Sequence, residues 1–168
     1  MKRTENVEMQ KRILLTAFRN TSADLLLKEM KGYKTLLLPN DKVKDSEKLI
    51  KEIINEPFDF VISLGQRPNI KNKVHIETTA RDGVLEIHTD FDVEGLKGLF
   101  EEKGVFAKIS HNVGTSFCNK LYWSGLRFIG ENALGTKMVF VHIPVVKNIE
   151  DVDWFRQVVA EVLENLMK

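Results

Sequence analysis

Short apolar runs alternate with amphipathic stretches along most of the chain. Ile13 to Phe18 (ILLTAF) lies between a charged segment and Arg19-Asn20-Thr21-Ser22, a pattern that predicts a strand buried on both faces. Thr21 or Ser22 can cap a short helix after it. Asp24 falls in its first turn, and Leu25, Leu26 and Met30 supply an apolar face. Tyr33 to Leu38 predicts a second strand, stopped by the turn cluster Pro39-Asn40-Asp41. From Ser46 onward, Leu49, Ile50, Ile53 and Ile54 share one helical face until Pro57 ends the helix.

Phe58 to Leu64 predicts a third strand, and Gly65-Gln66-Arg67-Pro68-Asn69 a loop leaving its carboxyl end. Alternation around Val74 and Ile76, and again over Val84 to His88, predicts a β-hairpin or a pair of edge strands. Val93, Leu96, Leu99 and Phe100 make an amphipathic helix closed by Gly104. Val105 to Ile109 reads as a strand, Thr115 to Ile129 as a helix and Met138 to Val146 as another strand. A final helix carries Val152, Phe155, Val158, Val159, Val162, Leu163 and Leu166 on one stripe. This order predicts an α/β fold with a mainly parallel sheet covered by helices on both faces. Ligands then belong beyond the carboxyl ends of the strands, near Phe18 to Ser22, Gly65 to Lys71, Ser110 to Gly114 and His142 to Pro144.

With 168 residues and 43% hydrophobic content, the chain suits one domain over residues 1–168. Its 25 Lys and Arg nearly balance 24 Asp and Glu, with no block of like charge, so a small molecule or peptide is a better partner than nucleic acid. No apolar run reaches membrane-spanning length, and Met1 to Arg12 lacks the apolar core of a signal peptide. A cytoplasmic protein without membrane partners is therefore expected. The single cysteine, Cys118, forms no internal disulfide and is either an inert buried residue or a working thiol.

Candidate chemistry begins at that thiol. In SHNVGTSFCNKLYW, the turn Ser110 to Gly114 leads into a helix with Cys118 in about its first turn. Helix N-termini favour a thiolate, and the same N–H groups can hold an oxyanion. A nucleophilic thiol needs a base and the base an orienting group. His142 interrupts the apolar run VFVHIPVV, 24 residues after Cys118, which leaves room for a helix and a return to a neighbouring strand. Glu77, on His75-Ile76-Glu77, is the candidate third member. His111 and His88 have no metal-site spacing and read as surface or loop residues.

These residues also carry a family resemblance. Asn112 to Asn119 (NVGTSFCN) resembles the nucleophile motif of the pyroglutamyl peptidase I (pyrrolidone carboxyl peptidase) family of cysteine peptidases. Phe140 to Pro144 (FVHIP) is similar to its histidine motif at the matching separation. Gly65-Gln66 with Ile76-Glu77 and Ala80 resembles its acidic motif, and Ile13 to Phe18 its opening strand. The resemblance implies a three-layer α/β/α sandwich with a mainly parallel or mixed central sheet. It implies Cys118 as nucleophile, His142 as general base and then acid, and Glu77 as orienting carboxylate. It further implies removal of N-terminal pyroglutamyl residues through an acyl-enzyme, with no metal or organic cofactor, by a cytoplasmic and often homo-oligomeric enzyme. Phe18, Gln66 and Phe117 are the implied substrate-binding residues. Arg19-Asn20-Thr21 stands where the family places a proline and a second phenylalanine, and Thr78 where it places an arginine. Two other readings stay open: a cysteine amidohydrolase of different acyl specificity, and a noncatalytic binding or assembly module on the same fold.

Overall fold

A computed structural model describes residues 10–114 and 116–168. The strands are β1 (Ile13–Phe18), β2 (Lys34–Leu38), β3 (Phe60–Arg67), β4 (Lys73–Glu77), β5 (Thr79–Asp82), β6 (Leu85–His88), β7 (Phe106–Ser110) and β8 (Lys137–Pro144). The helices are α1 (Ser22–Lys28), α2 (Lys42–Asn55), α3 (Val93–Glu102), α4 (Phe117–Glu131) and α5 (Val152–Met167). Six strands form one sheet in the order β2-β1-β3-β8-β4-β7, and β5 and β6 make a separate hairpin.

The sheet is mixed. β2, β1, β3 and β8 run parallel, whereas β4 pairs antiparallel with β8 and parallel with β7. Helices α1, α3 and α5 pack Leu26, Leu96, Phe155 and Val159 onto one face, against Leu15, Ile62, Val141 and Ile76. On the other face, α2 and α4 bury Leu49, Ile53, Leu121 and Tyr122 over Leu14, Val61, Met138 and Phe140. A strand covered on both sides has no polar face to alternate, which is why ILLTAF is buried at every position.

Several expectations shift. Helix α2 starts at Lys42, four residues before Ser46, because the Asp41 carboxylate accepts from the N–H groups of Val43 and Lys44 and caps it. In α1, Thr21 caps as expected, but Leu25 is exposed while Leu26 and Leu27 are buried. Gly65, Gln66 and Arg67 are not loop: they pair with His142, Ile143 and Pro144 as the end of β3. Nor is β4 an edge strand, since it has a neighbour on each side. The expected helix start at Thr115 lies outside the described residues. Among the described residues, no helix is long and apolar enough to cross a membrane.

Candidate active site

The α2/α4 face of the sheet carries the chemistry. On β8, Phe140 and His142 point to that face; on β4 their register partners are Glu77 and His75, and on β3 they are Ser63 and Gly65. Side chains two apart on a strand share a face, so Arg67 follows Gly65 onto the same surface.

Glu77 and His142 are brought together. The Glu77 Oε1 accepts from His142 Nδ1 at 2.9 Å, with both side chains buried. Against a carboxylate acceptor, this contact places the ring proton on Nδ1 and makes Nε2 the unprotonated nitrogen of the neutral ring. Tyr122, one helical turn after Cys118, donates its hydroxyl to the Glu77 carbonyl at 2.8 Å and so anchors the end of β4 to α4.

Cys118 is the second residue of α4 and is half-buried. Its Sγ lies over Gly65: a Cβ built on that glycine would stand 3.1 Å from the sulfur and 2.7 Å from Phe140 Cζ. Gly65 is the register partner of His142, so its missing side chain leaves the space that the thiol occupies beside the histidine strand.

The route to Cys118 differs from the expected one. Because β7 runs opposite to β1, β3 and β8, Ser110 leaves the sheet level with Glu77 and Phe140, not at the carboxyl edge of the parallel strands. The chain then returns over the sheet, held where Arg67 donates to the Asn112 carbonyl at 2.8 Å and Arg81 to that of His111. Asn119 completes the docking, pairing with the backbone N–H and carbonyl of Arg81 at 2.9 Å each.

The electrostatics also depart from expectation. The helix N-terminus alone would lower the thiol pKa, but burial outweighs it and pushes the Cys118 thiol up to about 12. Arg67 and the residue's own backbone N–H pull the other way, and Glu77 adds to the rise. At rest the sulfur is therefore a neutral thiol.

A cleft of about 430 Å³ opens at Cys118 and holds Phe18, Gln66 and Phe117, all three of the expected substrate-binding residues. Phe18 and Phe117 meet edge to face, their ring centroids 6.5 Å apart, and Phe117 is 39% exposed, so it is a cleft wall and not a core residue. The Gln66 amide oxygen accepts from Ser22 N at 3.0 Å, which leaves its NH2 as the donor for a ligand. Arg19, Asn20, Thr21, Asn40 and Ser116 complete the wall. Asn20 and Asn40 adopt left-handed backbone conformations, and Asn40 donates to the Arg19 carbonyl at 3.0 Å, which fixes the turn after β1.

Arg67, His75, Tyr122 and Asn119 were not singled out from the sequence as site residues. The available signal was periodicity: Arg67 is two residues from Gly65 on a strand, His75 two from Glu77, and Tyr122 four from Cys118 on a helix.

Comparison with known proteins gives a consistent picture. The sequence model described as "Pyroglutamyl peptidase" matches residues 68–155, just over half of the chain. Pyrrolidone-carboxylate peptidase of Fusobacterium nucleatum is 26% identical over 133 residues, covering 66% of this chain and 62% of the relative. Its counterpart in Thermoanaerobacter sp. is 30% identical over 120 residues, 58% of this chain and 59% of the relative. The chain thus spans about three fifths of the length of these relatives. In fold, pyroglutamyl peptidase I of Bacillus amyloliquefaciens superimposes with a TM-score of 0.85 at 17% identity, over 95% of this chain and 96% of that one. Pyrrolidone carboxyl peptidase of Fervidobacterium islandicum gives 0.83 at 18% identity, over 94% and 98%.

Proposed function

The chain belongs to the pyroglutamyl peptidase family, and from that premise we propose that it is a cysteine peptidase removing N-terminal pyroglutamyl residues from blocked peptides. The observation that carries this reading is the shared cleft: Cys118 opens into it beside Phe18, Gln66 and Phe117, while Glu77 orients His142 on the strand next to Gly65. An apolar slot with a few donors suits a lactam ring, which is uncharged yet polar.

His142 takes the thiol proton as Cys118 Sγ attacks the carbonyl that joins pyroglutamate to the next residue. The negative oxygen forms near the N-terminus of α4, where the Cys118 backbone N–H lies in the first turn. Collapse of the tetrahedral intermediate breaks the C–N bond, and His142 gives its proton to the departing amine. Water, deprotonated by the same imidazole, then releases pyroglutamate and restores the thiol. Throughout, Glu77 holds the Nδ1 proton and stabilises the imidazolium. A cytoplasmic setting suits a working thiol.

Hydrolysis of a fluorogenic pyroglutamyl amide by wild type, with loss of activity in Cys118→Ser, is the expected result. Full activity in Cys118→Ala would end every cysteine-hydrolase reading. One observation favours a second specificity: Arg19, Asn20 and Thr21 line the cleft where a second aromatic wall is expected. Preference for another acyl group in a panel of acyl-arylamides would select that reading.

A further inference from the structure

A buried carboxylate needs a cation to stay charged, and His142 cannot supply one while it is neutral. Glu77 is fully buried, its Oε1 takes the His142 bond, and its Oε2 has no partner among the described residues. Among the described residues, Arg67 is the cation beside it. Its NH1 lies 3.5 Å from the same Oε1, with the side chain 20% exposed. That NH1 also lies 3.2 Å from His75 Nδ1, and NH2 donates to the Asn112 carbonyl at 2.8 Å. One guanidinium thus joins the carboxylate, a second buried histidine and the segment that delivers Cys118.

We propose that Arg67 is a positioning residue of the reaction: the permanent countercharge set against the buried Glu77 carboxylate, and the clasp that holds the Asn112 segment so that Cys118 stays over Gly65. This role rests on the peptidase reading above. With Arg67 fixed beside the Glu77 oxygen that accepts from His142 Nδ1, the carboxylate is held in place and the imidazole keeps one orientation through both proton transfers. A second consequence concerns His75. Burial and then the Arg67 charge hold its pKa below the ordinary value, so it stays neutral and accepts the guanidinium bond, with no second positive charge competing for Glu77. The charged and titratable groups facing the cluster are Glu77, His75 and Lys73 on β4, Lys108 on β7, His142 on β8, and Cys118 and Tyr122 on α4. Arg67 is also the leading charge favouring the Cys118 thiolate.

The test compares wild type, Arg67→Gln and Arg67→Lys in two ways. The first is the pH dependence of kcat and KM on a pyroglutamyl amide. The second needs no substrate: the rate of Cys118 modification by iodoacetamide and by iodoacetate. Removing a cation tightens every bound proton nearby, so in Arg67→Gln the acid limb of kcat/KM should move up by about one pH unit. Thiol modification should fall about tenfold at each pH, more for iodoacetate, with KM changed less than about threefold. Arg67→Lys should restore the limb and the modification rate to within about threefold, because it keeps the charge. A purely structural role would lower the amount of active protein without moving the limb or the reagent preference.

Superimposable pH profiles and modification rates for wild type and Arg67→Gln would overturn the proposal. If wild type fails to cleave the amide but the thiol results hold, the substrate reading falls and the role of Arg67 stands. Should Arg67→Gln fail to fold, Arg67→Gln/Glu77→Gln removes the stranded charge and should recover the fold. An unfolded double variant would likewise overturn the countercharge role.

Discussion

Adding one methyl group at Gly65 tests the packing that places the thiol. The glycine is not in the left-handed region, so alanine meets no backbone penalty, and the cost is entirely steric. The new Cβ would stand 2.7 and 2.8 Å from Phe140 Cζ and Cε1 and 3.1 Å from Cys118 Sγ, against an ordinary carbon contact of about 3.5–4.0 Å. Phe140 has nowhere to retreat. It is fully buried, with Tyr122 at 5.8 Å and His142 at 4.9 Å between ring centroids. Overpacking of this kind costs about 1–3 kcal/mol. For a domain of this size that lowers Tm by roughly 2–12 °C.

The displaced ring also presses on His142 while the methyl presses on the sulfur. A misplacement of about 1 Å in reacting groups can cost on the order of 100-fold, so kcat should fall by about 10- to 100-fold beyond any loss of folded protein. Gly98, exposed in α3 with nothing within 4 Å of its would-be Cβ, is the internal control. Gly98→Ala should stabilise by about 0.5–1 kcal/mol through helix propensity and leave kcat unchanged. Thermal unfolding and steady-state kinetics of both variants decide the matter. Equal Tm and kcat for Gly65→Ala and wild type would refute the close approach of Cys118 and Phe140 to this strand.

Other outcomes follow from the same geometry. With the Cys118 pKa at about 12, only about one thiol in 10⁵ is ionised at pH 7. Alkylation should therefore be on the order of 1000-fold slower than for an ordinary thiol of pKa about 8.5, and should accelerate about tenfold per pH unit; a rate independent of pH between 6 and 8 would instead reveal a preformed thiolate. Glu77→Gln presents an amide to His142 Nδ1 and favours the wrong tautomer, so kcat should drop on the order of 10⁴-fold with KM little changed; a loss below tenfold would remove Glu77 from the site. Tyr122→Phe strips the donor from the buried Glu77 carbonyl and should cost about 1–3 kcal/mol in urea unfolding, whereas an unchanged midpoint would show that the carbonyl has another partner.

The parts of this molecule that the sequence revealed are those written as local patterns. An apolar run marks a strand buried on both faces whichever way it points, and so β1 is found with its observed ends and most other elements within a few residues. Direction leaves no such mark. Nothing in the period of Lys73 to Glu77 or Phe106 to Ser110 says that β4 and β7 run against β8, yet that reversal sends the Cys118 segment back across the sheet and makes the Arg67 and Arg81 bonds to it available. Thiol ionisation is likewise set by more than local pattern: helix position is visible in sequence, whereas the burial that raises the thiol pKa comes from the tertiary packing around Cys118.

The end of β3 shows how a small boundary error hides function. When Gly65, Gln66 and Arg67 are taken as loop, only Gly65-Gln66 draws notice, through its likeness to a motif. As strand residues they inherit an alternation: Ser63, Gly65 and Arg67 face the active-site side, with Ser63 accepting from Thr16, Gly65 making room for Phe140 and the thiol, and Arg67 reaching Glu77. The three positions differ sharply in size and charge because each meets a different partner at a different depth, from a sealed hydroxyl pair to a partly solvated cation. A sheet that carries its site on one face can thus place space for a thiol and the countercharge of a buried carboxylate two residues apart on a single strand.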